Sequence, residues 1–359
     1  MRKNIVNQLR LPISPEITAR FPSTRYQGSK VKLVNWIWEK IADLEFSSCL
    51  DVFGGTGSVA YRFKQANKCV TYNDALRFNY FIGLALIENN KTQLSSDDIN
   101  WLLESHSDII YPSFVHQTFH DIYFTDDENL WIDHTITNIR RLTDPYKFAI
   151  AFYSLCQSCI IKRPYNLFHR KNLYIRFADV ERSFGNKATW DRPFAEWFRI
   201  FIEEANQAIF DNGKENKALN LDYLDIPGEY DLVYIDTPYI SKRSIAVDYY
   251  WYYHFLEGLT IYDQWGDHID RSSKHLRLKP RKNEWTDKNL IHKAFDQLFN
   301  KFQESIIIVS YRSDGIPSER ELESLLKKYK SHVSIEHYGK YKYVLSTNSE
   351  SKEILFIGV

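Results

Sequence analysis

Residues 49–57, CLDVFGGTG, decide how this chain folds. The first five are typical of a short strand, and Gly54, Gly55 and Gly57 end it. Glycines at this place let the backbone turn sharply and approach a ligand closely, beside the N-terminus of a helix predicted at residues 58–66. The stretch therefore predicts the first β-loop-α unit of a doubly wound sheet, with a ligand-binding turn.

Strand and helix patterns continue on both sides of this unit. The strands are predicted at residues 49–53, 69–72, 219–221, 231–235, 305–310, 333–345 and 352–357. The helices are predicted at residues 31–44, 58–66, 76–89, 287–302 and 317–330. This alternation predicts one α/β domain that is assembled from residues 1–90 and 211–359.

Residues 91–210 break the alternation, because their patterns are mostly helical. We predict that this insertion is a second domain that gives specificity. It contains a Cys-x-x-Cys motif at Cys156 and Cys159, inside a helical pattern at residues 148–161 that lacks Gly and Pro. We expect buried, inert thiols there; a metal or redox site is the alternative, but it would need further ligands or a strand before the motif.

Composition limits the class of protein. The chain has 359 residues, of which 44% are hydrophobic and 16% aromatic, so it contains enough apolar material for a core. Lys+Arg and Asp+Glu both number 46, which argues against a polybasic protein. No apolar run approaches the roughly 18 residues of a membrane span, and the N-terminal residues lack the apolar stretch of a secretory signal. We therefore expect a cytoplasmic protein without a membrane partner.

Two carboxylates follow predicted strands. Asp74 lies 17 positions after Gly57 and is placed to accept hydrogen bonds from ribose hydroxyls, as in a nicotinamide dinucleotide site. The stretch DLVYIDTPY, residues 231–239, ends an apolar strand with Asp236, where α/β enzymes place their chemistry. Asp236 would be an acceptor and Tyr239 a planar face for stacking. Taken alone, a solvated aspartate at the end of a strand explains this stretch equally well.

A third segment, RYQGSK at residues 25–30, precedes the first predicted helix. Ser29 is a possible cap for that helix, and Lys30 supplies a cation. On its own, this segment is typical of a helix start with surface charges.

Together the three segments resemble the amino-methylating DNA methyltransferases, most closely the DNA adenine methylases of the alpha arrangement. Members carry, in this order, Arg/Tyr-x-Gly-Ser/Gly-Lys, Phe-x-Gly-x-Gly, a target-recognition insertion and Asp-Pro-Pro-Tyr. Residues 253–259 and 311–318 are also similar to segments of these methylases. The resemblance implies a Rossmann-like S-adenosylmethionine-dependent core, with a mostly parallel seven-stranded sheet and a C-terminal antiparallel hairpin. It also implies that residues 91–210 form a largely helical target-recognition domain.

The resemblance also implies roles for single residues. The positions that match cofactor contacts are Tyr26, Lys30, Phe53, Gly55, Gly57, Asp74, Asp222 and Tyr223. The positions that match the catalytic motif are Asp236, Thr237, Pro238 and Tyr239. In the family mechanism the target base is flipped out of the duplex, and the Asp carboxylate and the next main-chain carbonyl hold its amine. Thr237 stands where the first Pro is usual, but it keeps that carbonyl.

Two windows, residues 162–176 and 271–282, contain basic residues and no acidic ones. Such windows suit contacts to phosphates and base edges, although a solvated loop is the alternative for both. We predict base recognition by the first window and a clamp on the DNA backbone by the second. The predicted DNA contacts are Lys162, Arg163, Asn166, His169, Arg170, Lys171, Lys274, Arg277, Lys279, Arg281 and Lys282.

The sequence thus predicts a DNA methyltransferase that acts on adenine N6 in double-stranded DNA, either in restriction–modification or as an orphan. We expect a prokaryotic or phage-type monomer without a metal site, with a restriction endonuclease encoded nearby as a possible functional partner. Cytosine N4 methylation is the nearest alternative. A nicotinamide-dependent oxidoreductase would explain Asp74 but not Asp236, and Thr237 leaves open a DNA-binding regulator on an inactive methylase scaffold.

Overall fold

A computed structural model describes residues 19–178, 187–242, 246–340 and 351–359 of the chain. Two sequence predictions lie outside these residues. One is the absence of a secretory signal, which concerned residues 1–18, and the other is the end of the strand predicted at residues 333–345.

In the described residues, seven strands form one sheet in the order β3-β2-β1-β4-β6-β9-β8. The strands are β1 (Ser48–Asp51), β2 (Cys69–Asn73), β3 (Lys217–Leu219), β4 (Leu232–Ile235), β5 (Ile240–Ser241), β6 (Ile306–Arg312), β7 (Gly315–Ile316), β8 (Val333–Lys340) and β9 (Lys352–Gly358). The first five strands of that order are parallel, whereas β9 is antiparallel to both β6 and β8. β5 and β7 form a separate antiparallel pair. The predicted α/β fold with a C-terminal antiparallel hairpin is confirmed.

The predicted helices are present, and most are shorter than expected. The α-helices are α1 (Val34–Ile41), α2 (Ser58–Gln65), α3 (Arg77–Gly83), α4 (Ser96–Leu103), α5 (Phe114–Thr118), α6 (Asp126–Ile139), α7 (Pro145–Ile161), α8 (Tyr174–Phe177), α9 (Lys187–Asp191), α10 (Phe194–Ala208), α11 (Tyr249–Tyr252), α12 (His254–Leu259), α13 (Trp265–His268), α14 (Ile291–Lys301) and α15 (Glu319–Leu326). A π-helical segment, Leu84–Glu88, continues α3, and 3-10 turns lie at Pro164–Asn166, Tyr262–Gln264 and Glu284–Thr286.

Both faces of the sheet are buried, because successive side chains of a strand point to opposite faces. Along β4, Leu232 and Tyr234 join one apolar cluster and Val233 and Ile235 join another. The first cluster is covered by α1, α2 and α3, and the second by α14 and α15. This arrangement leaves the carboxyl ends of the parallel strands as the edge where a ligand site can form.

The described part of residues 91–210 is helical and contains no strand, as the periodicity predicts. α7 is its central helix; Asp144 caps it by accepting from the backbone N–H of Tyr146 at 2.8 Å. Cys156 and Cys159 lie buried within α7 as free thiols. The insertion shares its apolar cluster with α1, α2 and α3, so the division at residues 90 and 210 stays a prediction. No helix in the described ranges is long and apolar enough to cross a membrane.

Candidate active site

A cavity of about 310 Å³ opens at the carboxyl ends of β1, β2 and β4. All three motifs that the sequence singled out contribute to its wall. The predicted residues that line it are Tyr26, Lys30, Phe53, Gly55, Asp74, Asp222, Tyr223, Asp236, Pro238, Arg281 and Lys282. The structure therefore brings together residues that are far apart in the sequence.

The loop after β1 forms one wall of the cavity. Gly55 and Gly57 have φ values of +52° and +76°, a left-handed conformation that residues with a side chain adopt at a cost. Gly57 is the N-cap of α2 and is not itself a lining residue. The Asp74 carboxylate accepts a hydrogen bond from the Gly55 N–H at 2.9 Å and another from the Leu76 N–H at 2.8 Å, which fixes the loop against β2. Burial raises the pKa of Asp74 to about 6.

Aromatic rings form another part of the wall. The Phe53 ring makes an edge contact with the Trp285 ring, with 5.0 Å between their centroids, and Tyr223 packs against Trp285 at the same distance. Asp222 is exposed and lines the cavity next to this group. Rings of this kind offer planar apolar surface to a heteroaromatic ligand such as a nucleobase.

The catalytic motif meets the N-terminal segment in a buried ion cluster. Lys30 Nζ lies 3.1 Å from Asp236 Oδ1 and 2.7 Å from Glu353 Oε1. The Tyr239 hydroxyl donates to Asp236 Oδ1 at 2.7 Å and also contacts Lys30. All these contacts to Asp236 use the same oxygen, so Oδ2 has no protein donor among the described residues.

Burial and charge act in opposite directions on these groups. Burial and the neighbouring Glu353 raise the pKa of Asp236 to about 6, although Lys30 opposes this shift. Burial alone would lower the pKa of Lys30, but Asp236 and Glu353 outweigh it and raise the pKa above its usual value. Lys30 is therefore charged at neutral pH, and Asp236 is mostly ionised.

The structure places two members of the catalytic motif away from the cavity. Thr237 as a whole residue is 2% exposed and does not line the cavity. Tyr239 is also buried, and its ring makes an edge contact with the Tyr311 ring. Tyr239 is not a lining residue, so its ring is not presented to the cavity in this conformation. Instead Tyr249 and Tyr250 line the cavity.

The sequence motifs did not single out several residues of the site. Asp51, in the decisive stretch, lines the cavity; its Oδ1 is buried and has no hydrogen-bond partner within the described ranges. Burial and the charges of Asp236 and Asp74 raise the pKa of Asp51 well above its usual value. Glu353 carried one available signal, because it is a carboxylate inside an otherwise apolar strand. Tyr249 and Trp285 carried no signal beyond being aromatic.

The structure corrects the prediction of DNA contacts for Lys162 and Arg163. Both side chains are buried, with 2% and 1% exposure. Lys162 pairs with Glu128 at 2.7 Å, and the Arg163 guanidinium donates to main-chain carbonyls, among them that of Tyr123 at 2.9 Å. The prediction for these two residues is wrong, because both side chains are buried and engaged by partners inside the protein.

The remaining residues of the first window lie nearer the surface. Asn166 and His169 are half-buried, and Arg170 and Lys171 are exposed. Burial, together with the neighbouring Arg170, lowers the pKa of His169 to about 4, so this imidazole is neutral at physiological pH. Lys171 forms an ion pair with Asp121 at 3.0 Å.

The second window reaches the cavity at its C-terminal end. Arg281 and Lys282 are exposed lining residues, and the Arg281 guanidinium sits over the Tyr250 ring at 4.4 Å. Lys274 and Lys279 are exposed as well. The half-buried Arg277 pairs with Asp270 at 3.2 Å, which links two parts of this loop. The window thus carries accessible positive charge to the edge of the cavity.

Comparison with known proteins gives matches over most of the chain. A sequence model of the family described as D12 class N6 adenine-specific DNA methyltransferase matches residues 26–314. The type II methyltransferase M2.HphI of Haemophilus parahaemolyticus is 27% identical over 348 residues, covering 94% of this chain and 98% of that protein. M.CviAII of Paramecium bursaria Chlorella virus 1 is 22% identical, covering 92% and 97%. M.FokI of Planomicrobium okeanokoites is 26% identical, but the match covers 89% of this chain and 48% of that protein.

Proposed function

Because the chain belongs to the D12 class of N6 adenine-specific DNA methyltransferases, we propose that it transfers a methyl group from S-adenosylmethionine to N6 of an adenine flipped out of double-stranded DNA. Membership of this family confirms the resemblance that the motifs predicted. It excludes the alternative of a nicotinamide-dependent oxidoreductase. The flipped base, the cofactor and the residue roles are parts of the proposal.

The cavity suits S-adenosylmethionine in its charges and its shape. Its volume lies at the lower end of the ~300–1,000 Å³ range typical of small-molecule sites. Phe53, Tyr223 and Trp285 offer rings for the adenine of the cofactor. Asp74 offers an acceptor for the ribose of the cofactor, and Asp222 one for the amino group of its adenine. The unpartnered Asp51 oxygen suits a cationic donor, which the cofactor carries. When bound, the cofactor supplies an electrophilic methyl group.

Asp236 is proposed to hold the target amine. One carboxylate oxygen is engaged by Lys30 and Tyr239, which leaves Oδ2 for an N–H of the substrate. The main-chain carbonyl of Thr237 would accept from the second N–H. Thr237 is buried here and does not line the cavity, so this contact requires its carbonyl to become accessible when the base enters. Two acceptors draw the amine away from planarity, so its lone pair becomes available for attack. Direct attack by this lone pair requires no covalent enzyme intermediate.

The DNA is proposed to approach over the second basic window. Lys274, Lys279, Arg281 and Lys282 are exposed, and the last two line the cavity. All four would contact phosphates on either side of the flipped base. Residues 91–210 would act as the target-recognition domain, with Arg170 as an accessible cation of the first window. We propose that the enzyme works as a monomer. We also propose a role in restriction–modification, since its relatives are named type II methyltransferases.

One observation carries this proposal: Asp236 lines the same cavity as the glycine loop and the aromatic rings. The test is transfer of a labelled methyl group to double-stranded DNA, followed by nucleoside analysis and methylome sequencing. We expect N6-methyladenine at one recognition sequence. Label in N4-methylcytosine would overturn the choice of base, and an absence of label would favour the inactive scaffold.

A further inference from the structure

Glu353 is a buried carboxylate that the three motifs do not include. It lies on β9, is 0% exposed, and is outside residues 26–314 that match the family model. Its Oε1 accepts from Lys30 at 2.7 Å and from the Ser310 hydroxyl at 2.5 Å. Burying an ionised carboxylate is expensive unless it is paired and hydrogen-bonded, and Glu353 meets both conditions.

The charges of this cluster do not cancel. Lys30 Nζ is closer to Glu353, at 2.7 Å, than to Asp236, at 3.1 Å. Two carboxylates share one ammonium, so the ionised cluster has a net charge of −1. Interactions between charges are stronger in a buried site than in water, and this excess charge therefore acts strongly on a bound substrate.

We propose that Glu353 is a positioning residue for methyl transfer: it binds the Lys30 ammonium, so that Lys30 orients Asp236 without neutralising it. The inference rests on the proposed function. Without the charge of Glu353, Lys30 would pair with Asp236 alone, and that pair would be neutral.

The excess negative charge matters at the step where the amine reacts. The amine lone pair forms the N–C bond, the electrons of the S–CH₃ bond stay on sulfur, and the nitrogen is positive until it loses a proton to water. A net charge of −1 beside this nitrogen stabilises the transition state more than the neutral amine before reaction. Glu353 should therefore affect kcat more than the binding of DNA.

Several other titratable groups surround Asp236. Lys30 reaches it from the segment before α1, and Asp51 from the end of β1. Tyr239 bonds to it directly, and Tyr234 and Tyr249 lie close enough to interact electrostatically. The tyrosines are neutral at physiological pH, because burial raises the pKa of Tyr234 and Tyr249 well above 10.

The experiment compares Glu353→Gln with Glu336→Gln as a matched control. The glutamine side chain in Glu353→Gln keeps nearly the same shape and can still accept from Ser310, but it lacks the charge. Glu336 is a carboxylate of the neighbouring strand β8 that pairs with Lys40 at the surface. We expect Glu353→Gln to lower kcat about 10- to 100-fold, less than the ~10²–10³-fold loss on removing a group that contacts the transition state. KM for DNA and cofactor affinity should change little, and Glu336→Gln should match the wild type.

The pH profile separates positioning from a structural role. Removing the charge of Glu353 lowers the pKa of Asp236, so the acid limb of kcat should move to lower pH in Glu353→Gln. If Glu353→Gln has the kcat of the wild type and the acid limb of its pH profile does not move, the inference is overturned. Methylation by the unmodified protein would still support the proposed function. An inactive wild type would instead refute the proposed function. If Glu353→Gln does not fold, Ser310→Ala removes the hydroxyl that orients Glu353; an unchanged kcat there would also overturn the inference.

Discussion

Tyr239 donates a hydrogen bond to Asp236 over 2.7 Å, and its ring is buried in the protein. The ring packs edge-on against Tyr311, and Lys30 lies 5.0 Å from its centroid. The proposed acceptor of the amine and the proposed stacking ring are therefore coupled. If Tyr239 stacks on a flipped base, its side chain must rotate and give up this bond to Asp236.

The first prediction concerns Asp236. Asp236→Ala removes the acceptor proposed for the amine, so kcat for methyl transfer to DNA should fall by at least ~10²–10³-fold. Cofactor binding, measured by titration, should persist, because the glycine loop and the aromatic rings remain. Asp225→Ala, which truncates an exposed aspartate shortly before β4, is the control and should keep full activity. Near-wild-type turnover of Asp236→Ala would remove Asp236 from the catalytic role.

The pKa of Asp236 gives a pH prediction. Only the ionised carboxylate leaves Oδ2 as a full acceptor, and burial raises the pKa of this group to about 6. Activity should therefore be present above pH 6 and decline as the pH falls through 6, whereas an ordinary aspartate would decline near ~4. The measurement is kcat/KM for DNA, which reports the free enzyme, between pH 5 and pH 8, where these pH values are chosen to bracket about 6. A kcat/KM that stays constant down to pH 5 contradicts the assignment.

Two substitutions at Tyr239 test the rotation. Tyr239→Phe keeps the ring but removes the hydroxyl that binds Asp236, so the ring is free to turn and activity should stay near wild type. Tyr239→Ala loses stacking worth ~1–3 kcal/mol, or about 5- to 150-fold in kcat/KM for DNA. Equal activity of the two variants would show that the ring does not stack on the base.

Local patterns predicted the core of the fold well. The turn after β1 needs left-handed backbone at Gly55 and Gly57, and this requirement is visible in the sequence itself. The strand residues 231–235 are apolar after the first position, which is typical of a strand buried on both faces. Strand and helix positions follow from such short-range signals.

Short-range sequence patterns could not predict the ion cluster of Lys30, Asp236 and Glu353. Lys30 and Glu353 are 323 positions apart, and the carboxylate meets Lys30 from β9, which pairs with β6. The sequence also does not reveal whether a charged side chain is buried or exposed. Lys162 looked available for DNA because no acid occurs in its window, but its partner Glu128 comes from α6.

The corrected role of the first window predicts a stability effect. Glu128 pairs with Lys162 at 2.7 Å and with Arg176 at 2.6 Å, and both cations are buried. Glu128→Gln leaves them without a counter-charge, so the free energy of unfolding should fall by about 3–5 kcal/mol in chemical denaturation. Glutamine still completes the capping box with Thr125, so loss of the cap is not the cause. Asp127→Asn, at an exposed position in the same turn, should change stability little.

Salt dependence tests the second window. Counterions are released when lysines neutralise DNA phosphates, so the logarithm of affinity falls linearly with the logarithm of salt concentration. Each of Lys274→Glu, Lys279→Glu and Lys282→Glu should weaken binding and reduce the magnitude of this slope by about 1. Lys214→Glu is the matched control, because this exposed lysine precedes β3, at the amino ends of the parallel strands and away from the cavity. An unchanged slope in all three variants would mean that DNA does not cross this window, and the search for its path would move to Arg170 and the insertion.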